Sequence, residues 1–244
     1  MLKTLDGALA LLTHFTARQP SWGVRELSRE SGVHHAVVQR VLATFAARGF
    51  LVQDAAGRYG LGLRCYELGQ VVRKTFSPAE VVQPALDALA RESGETVFLS
   101  WLDGDEGLCT DMAHGQHQLR FSIEPGQRFA LDAGAHAKAV LAFQPEAFRR
   151  RVAQQSALPA QELEKLEERL ARIRADGWAY TCEEAAASVA GLAVPLRSRD
   201  SRAVIGSLSI AGPLQRLDEH ALPRLLDALR TARDTIGPVA GFLR

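Results

Sequence analysis

Apolar residues recur at helical spacing within VRELSRESGVHHAVVQRVLATFAARGF, Val24 to Phe50, and this stretch frames the rest of the chain. Val33, Val37, Val38, Val41, Leu42 and Phe45 fall on one stripe of period near 3.6, which predicts a buried helix side. The other face carries His34, His35, Ala36, Gln39, Arg40 and Ala43, short or hydrogen-bonding side chains that suit a groove. A shorter helix from Val24 to about Ser31 precedes it, with Gly32 as the left-handed residue that stops one helix and aims the next. The pair reads as a helix-turn-helix.

The flanking patterns extend the unit. Leu5, Ala8, Leu9, Leu12 and Phe15 predict a support helix capped by Thr4 or Asp6. After Phe50, two short β-prone arms around Asp54 to Gly57 predict a wing, with Arg58 placed to reach DNA backbone or minor groove. RCYELGQVVRKTF, Arg64 to Phe76, reads as a further helix with Tyr66 or Leu68, Val71, Val72 and Phe76 as its apolar positions, broken by Ser77 and Pro78. The expected division is residues 1–63 as a helix-turn-helix DNA-binding domain, 64–77 as a linker helix and 78–244 as a second domain.

Beyond the break the period shortens. A helix to about Arg91 is followed by the β-rich runs TVFLSWLD, GLCTDMA and HQLRFSI, whose Asp/Gly turns favour an antiparallel sheet. A helix is expected from about Gly134, with Ala135, His136 and Lys138 beside its positive end as a place for a small anion. Helices over Glu146–Gln155 and Gln161–Asp176 follow, then a strand WAYTC and two strongly apolar strands, SVAGLAVPLRS and AVIGSLSIAG. A last helix is expected from about Asp218 to Leu243. The fold class is therefore α+β.

Net charge is +1, but the balance is uneven: +5 through residue 76 and −4 beyond it. A basic excess concentrated around a helix-turn-helix is what phosphate neutralisation requires. Arg25, His34, His35, Ala36, Val37, Gln39, Arg40 and Arg58 form the candidate DNA-contacting set. The three cysteines, Cys65, Cys109 and Cys182, lie far apart and suggest neither disulfide framework nor zinc ribbon. No run reaches the ~18 apolar residues of a spanning helix, and MLKTLDGALALLTHF mixes acid and base into its apolar pattern, so a cytoplasmic protein away from membranes is expected.

Four segments resemble the IclR family of bacterial transcriptional regulators: RVLATFAARGFLVQDAAGRYGLGLR, ESGETVFLSWLDGDEGLCTDM, PGQRFALDAGAHAKAVLAF, and GWAYTCEEAAASVAGLAVPL with IGSLSIAGP. The resemblance implies a winged helix-turn-helix, a linker helix and a GAF-like C-terminal domain whose antiparallel sheet is flanked by helices. It further implies homodimers or homotetramers on palindromic double-stranded operators, with a small organic-acid effector and no cofactor. In the recognition helix Arg40 matches the family pattern, while His34 and His35 depart from it; histidine carries little charge at pH 7. The family's pocket positions translate to Ala135 and His136, to Thr181 in place of an acid, to Gly191 in place of a thiol, and to Ser209 with Ala211; Leu119 and Phe121 complete the expected effector set. Thr181 and Gly191 imply added volume and lower polarity, and His136 a cation, which together predict an aromatic or branched carboxylate.

Two other readings compete. His114 and His117, with Asp111 and His136, offer a metal-binding sensor or an enzyme-like C-terminal domain; no hydrolase elbow, P-loop or carboxylate pair supports enzyme chemistry, and no metal site is expected. Alternatively, the C-terminal domain only dimerises, its pocket filled by side chains.

Overall fold

A computed structural model describes residues 2–76, 79–156, 159–198 and 200–238. The chain forms two compact units, Met1–Lys74 and Thr75–Arg244. No helix among the described residues is long and apolar enough to cross a membrane.

The first unit contains α1 (Lys3–Leu12), β1 (Ser21–Trp22), α2 (Val24–Ser31), α3 (His35–Ala47), β2 (Leu51–Gln53), β3 (Tyr59–Leu61) and α4 (Leu63–Phe76), which runs past its end. Gly32 closes α2 at φ +69°, a backbone angle that a side chain would strain, and so turns the chain into α3. Leu27, Val38 and Leu42 pack with Leu11, Phe15, Trp22, Leu51 and Tyr59 into one core. The strands form a three-stranded sheet in the order β1-β3-β2. β1 pairs Ser21 with Gly60 and Trp22 with Tyr59; at two residues it is too short to show as a periodic pattern.

Three expectations here are corrected. Val37 is 38% exposed, so the buried stripe of α3 narrows to Val38 and Leu42 with Val33, Val41 and Phe45 half-covered. α1 ends at Leu12, so Leu11 enters the core from the helix and Phe15 from the chain beyond it, whereas Leu5 (53%) and Leu9 (51%) face outward. The helix starts at Lys3, so Thr4 and Asp6 lie inside its first turn and do not cap it. Along α4, Tyr66, Leu68, Val71 and Val72 are all exposed; the side chain of Phe76, and Ser77 and Pro78, lie outside the described residues.

The second unit begins with α5 (Ala79–Ser93), β4 (Thr96–Asp103), β5 (Glu106–Ala113), β6 (Arg128–Ala130) and α6 (Ala135–Leu141). It continues with α7 (Glu146–Gln155), α8 (Ala160–Asp176), β7 (Ala179–Cys182), β8 (Val189–Arg197), β9 (Val204–Pro213) and α9 (Leu222–Ile236). The expected last helix is thus shorter at its start, and its end beyond residue 238 lies outside the described residues. The six strands are antiparallel in the order β6-β5-β4-β9-β8-β7. Val97, Leu99, Leu192, Val194, Leu208 and Ile210 face α5 and α9; Ala179, Ala193 and Val204 face α6, α7 and α8. Covering both faces explains why β8 and β9 are apolar without alternation.

HQLRFSI is not a strand. Residues 114–127 run as an irregular strap, and the edge of the sheet is taken by β6, which pairs Glu106–Leu108 with Ala130–Arg128. Phe121 and Ile123 still pack inward, on Phe98, Cys109 and Ala211. The strap's backbone is held by side chains: Thr96 Oγ1 donates to the Phe121 carbonyl (2.6 Å) and Arg216 Nη2 to the Leu119 carbonyl (2.8 Å). Alternating apolar residues therefore mark an inward-facing segment here, while its hydrogen bonds go elsewhere.

Candidate nucleic-acid interface and effector site

With Leu42 and Val38 anchoring its back, α3 offers His34, His35, Ala36, Val37, Gln39, Arg40, Ala43 and Thr44 to solvent. His34 is already engaged as the N-cap of this helix, its Nδ1 accepting the Ala36 amide (3.3 Å). The exposed side chains of this face able to hydrogen-bond outward include His35, Gln39 and Arg40, with exposed Arg25 on α2.

Arg58 is not extended toward a ligand. Its guanidinium donates from Nε to Ser21 Oγ (3.1 Å), and from Nη2 to the Ser21 carbonyl and to Glu26 Oε2 (both 2.8 Å). Glu26 in turn accepts the Gly23 amide (3.3 Å), and that bond, followed by Arg58, holds its carboxyl below the usual range. These bonds form a clasp that ties wing, β1 and α2 together, an intramolecular role that the expectation of a backbone or minor-groove contact did not include. Asp54 Oδ1 shapes the wing turn by accepting the Ala56 and Arg58 amides (both 2.9 Å).

In the second unit, register gathers most of the expected effector residues. Thr181 pairs with Gly191, Gly191 with Ala211, and Ala211 with Thr96, a row across four strands. Ser209 lies two residues along β9, opposite Phe98 and Ala193. Since Leu208 and Ile210 face the other way, Ser207, Ser209 and Ala211 share the face that carries α6. Ser207 Oγ bridges this face to the helix, donating to the His136 carbonyl (2.9 Å) beside Ser100 Oγ (2.9 Å). Ser209 Oγ is enclosed and has no hydrogen-bond partner among the described residues. Leu119 does not belong to the group, being 71% exposed on the strap, whereas Phe121 does, its ring 6.0 Å from that of Phe98.

Two chemical expectations at this site are overturned. His136 is no cation: its ring lies edge-on to Phe129 (4.3 Å) and Phe98 (5.3 Å), and burial pushes its pKa down to about 4. Gly191 adds no volume, because the Ala135 methyl lies 3.3 Å from where a Cβ would stand and fills the space of the missing side chain. The anion place expected near Gly134 is also taken. The Glu184 carboxylate accepts the Gly134 amide (3.1 Å), Lys138 Nζ and Arg169 Nη1 (2.8 Å). Sequence reading missed Glu184; its only signal was a carboxylate in a loop after a strand.

The metal constellation does not assemble. His136 is enclosed by aromatic rings, and His117 Nε2 lies over Gly94. No three His, Cys, Asp or Glu side chains converge among the described residues. Burial, with Asp111 nearby, pushes the Cys109 thiol up to about 12 and leaves it a packing group.

Comparison with known proteins decides the family. The model of the IclR helix-turn-helix domain matches residues 4–55, and that of the bacterial transcriptional regulator IclR C-terminal domain matches residues 74–237. The chain belongs to the IclR family. It is a DNA-binding transcriptional regulator, and the IclR relatives it resembles are regulators rather than enzymes. It is 29% identical to the HTH-type transcriptional regulator KipR of Bacillus subtilis over 98% of each chain. To the transcriptional repressor IclR of Escherichia coli it is 26% identical over 89% of this chain and 82% of that one. An IclR regulator from Silicibacter sp. TM1040 superposes with TM-score 0.87 at 27% identity, covering 99% of this chain and 98% of the other. An IclR homolog from Microbacterium hydrocarbonoxydans, solved in complex with 4-hydroxybenzoate, has the same fold at TM-score 0.81 and 21% identity, covering 96% and 98%.

Proposed function

We propose that this IclR regulator reads a palindromic operator with the exposed face of α3, and that a monocarboxylic acid with an aromatic or branched body controls its operator affinity. His35, Ala36, Val37, Gln39 and Arg40 face base edges in the major groove; His34 orders the helix start, and Arg25 meets the phosphates. The observation that carries the effector reading is the enclosed, unpartnered Ser209 hydroxyl opposite Phe98, on the face also lined by Phe121 and Phe129. A buried hydroxyl without a partner calls for a ligand polar group, and the aromatic lining calls for an apolar body. The 4-hydroxybenzoate bound by the Microbacterium protein has that character.

A second reading draws on the Ala135–Gly191 contact: a domain whose pocket is filled by its own side chains and which serves oligomerisation alone. Thermal shifts separate the two. Benzoate-class acids raise the melting temperature under the first reading; shifts by only two- or three-carbon oxyacids overturn the effector class, and none by any acid favours the second.

The operator reading is tested at Arg40. Arg40→Ala weakens specific binding by about 1 to 3 kcal/mol, because a bidentate guanidinium contact to a base is lost. An unchanged footprint and affinity remove Arg40 as a base reader. Oligomerisation places two such helices on half-sites ~34 to 36 Å apart, so a small change in their spacing suffices for control.

A further inference from the structure

We propose that Glu184 is an internal stand-in for the effector's carboxylate, and that an incoming acid acts by displacing it and freeing the loop of residues 183–188. The inference rests on the effector reading above and adds the seat of the acid group and the moving part.

Three donors converge on Glu184: the Gly134 amide and Lys138 Nζ on one oxygen, Arg169 Nη1 on the other. The Lys138 side chain is 5% exposed, and leaving a buried ammonium without an anion beside it is costly. Opening the loop with nothing in its place strands a buried ammonium. A neutral ligand cannot relieve that, and a cationic one makes it worse. A carboxylate can, since it restores the same charge-assisted bonds.

The loop itself is built to leave. Glu183 (φ +57°) and Ser188 (φ +60°) bracket it in the left-handed region without being glycine, so its closed shape is held by its contacts. Its remaining ties are few: Ser188 N donates to Glu183 Oε1 (2.9 Å), Glu183 N to the Val189 carbonyl (2.7 Å) and Val189 N to the Ala186 carbonyl (3.3 Å), and one bond reaches in from beyond β9, from Leu214 N to the Ser188 carbonyl (2.9 Å). Ala185, Ala186 and Ala187 are exposed and add little packing.

A way in exists. A cleft of about 430 Å³ borders the seat, lined by Lys138, Arg169, Arg172, Trp178, Thr181 and Glu184 among others. Asp176 also lines the cleft, so its basic groups, Lys138, Arg169 and Arg172, exceed its acidic ones, Asp176 and Glu184, by one, and displacing Glu184 widens that excess in favour of an incoming acid. Thr181 belongs both to this cleft and to the row with Gly191 and Ala211. The seat and the sheet face therefore share a boundary residue.

The test uses the full-length protein and matched acid and amide probes: acetate, benzoate and 4-hydroxybenzoate, each against its carboxamide, titrated by calorimetry into wild type and Glu184→Gln. Glu184 competes at the local concentration of a tethered group, so its removal tightens acid binding by about tenfold or more and leaves the amides unchanged. Amide hydrogen exchange on the unmodified protein supplies a second readout, with exchange at residues 183–188 accelerating when an acid is bound. Equal affinity in both proteins, acids and amides shifting together, or a loop that stays protected overturns the latch while leaving effector sensing intact. No acid binding to either protein overturns both.

Discussion

Wedged edge-on against Phe98 and Phe129, the imidazole of His136 has lost its water and stays neutral far below the pH at which a free histidine protonates. Its folded pKa, about 4, lies below the unfolded value near 6.5. The unfolded chain therefore takes up a proton that the folded one refuses. The resulting stability is fully present above pH ~6.5 and is lost as pH falls toward 4, by on the order of 3 kcal/mol at the acid end. His136→Leu should flatten the slope of stability against pH between 6.5 and 4, measured by denaturant titration against wild type; parallel slopes would show the ring to be solvated. The residue type was legible in the sequence and its charge state was not, because desolvation depends on rings 38 and 7 positions away that only the fold brings near. Gly191 teaches the same lesson: the chain shows that a side chain is missing, and only the structure shows Ala135 filling the gap.

Among elements, those with strong periodicity were readable. Helices α2, α7 and α8 and strands β8 and β9 lie within a few residues of expectation, since each buries one continuous pattern against a neighbour. The wing turn followed from Asp54 and Gly57, yet the role of Arg58 did not, because Ser21 and Glu26 are 37 and 32 positions away. That clasp yields an element-scale prediction. Arg58→Ala should loosen the wing, seen as faster amide exchange in β2 and β3, and should leave the dependence of operator affinity on salt unchanged. A salt slope reduced by about one would instead mean that Arg58 neutralises a phosphate. The strap misread as a strand belongs to this scale too: alternation reports which side chains point inward and says nothing of where the backbone bonds.

For the molecule as a whole, the outward apolar residues need an owner. Leu5 and Leu9 on α1 and Tyr66 and Leu68 on α4 present more exposed apolar surface than a lone DNA-binding unit has use for. We expect a second copy of the chain to cover them. Leu5→Glu with Leu9→Glu should lower the mass measured by sedimentation and weaken operator binding by tenfold or more, while the melting temperature of the exposed-site variant stays within a few degrees. Unchanged mass would place the interface elsewhere. The charge split, +5 through residue 76 against −4 beyond, favours attraction of the DNA polyanion to the first unit. There the Arg58 tie has a last effect. A reading head whose wing cannot swing against its helices has no give of its own, so any mismatch with straight duplex must be absorbed by the DNA. Operators should then rank partly by how readily their untouched base steps bend.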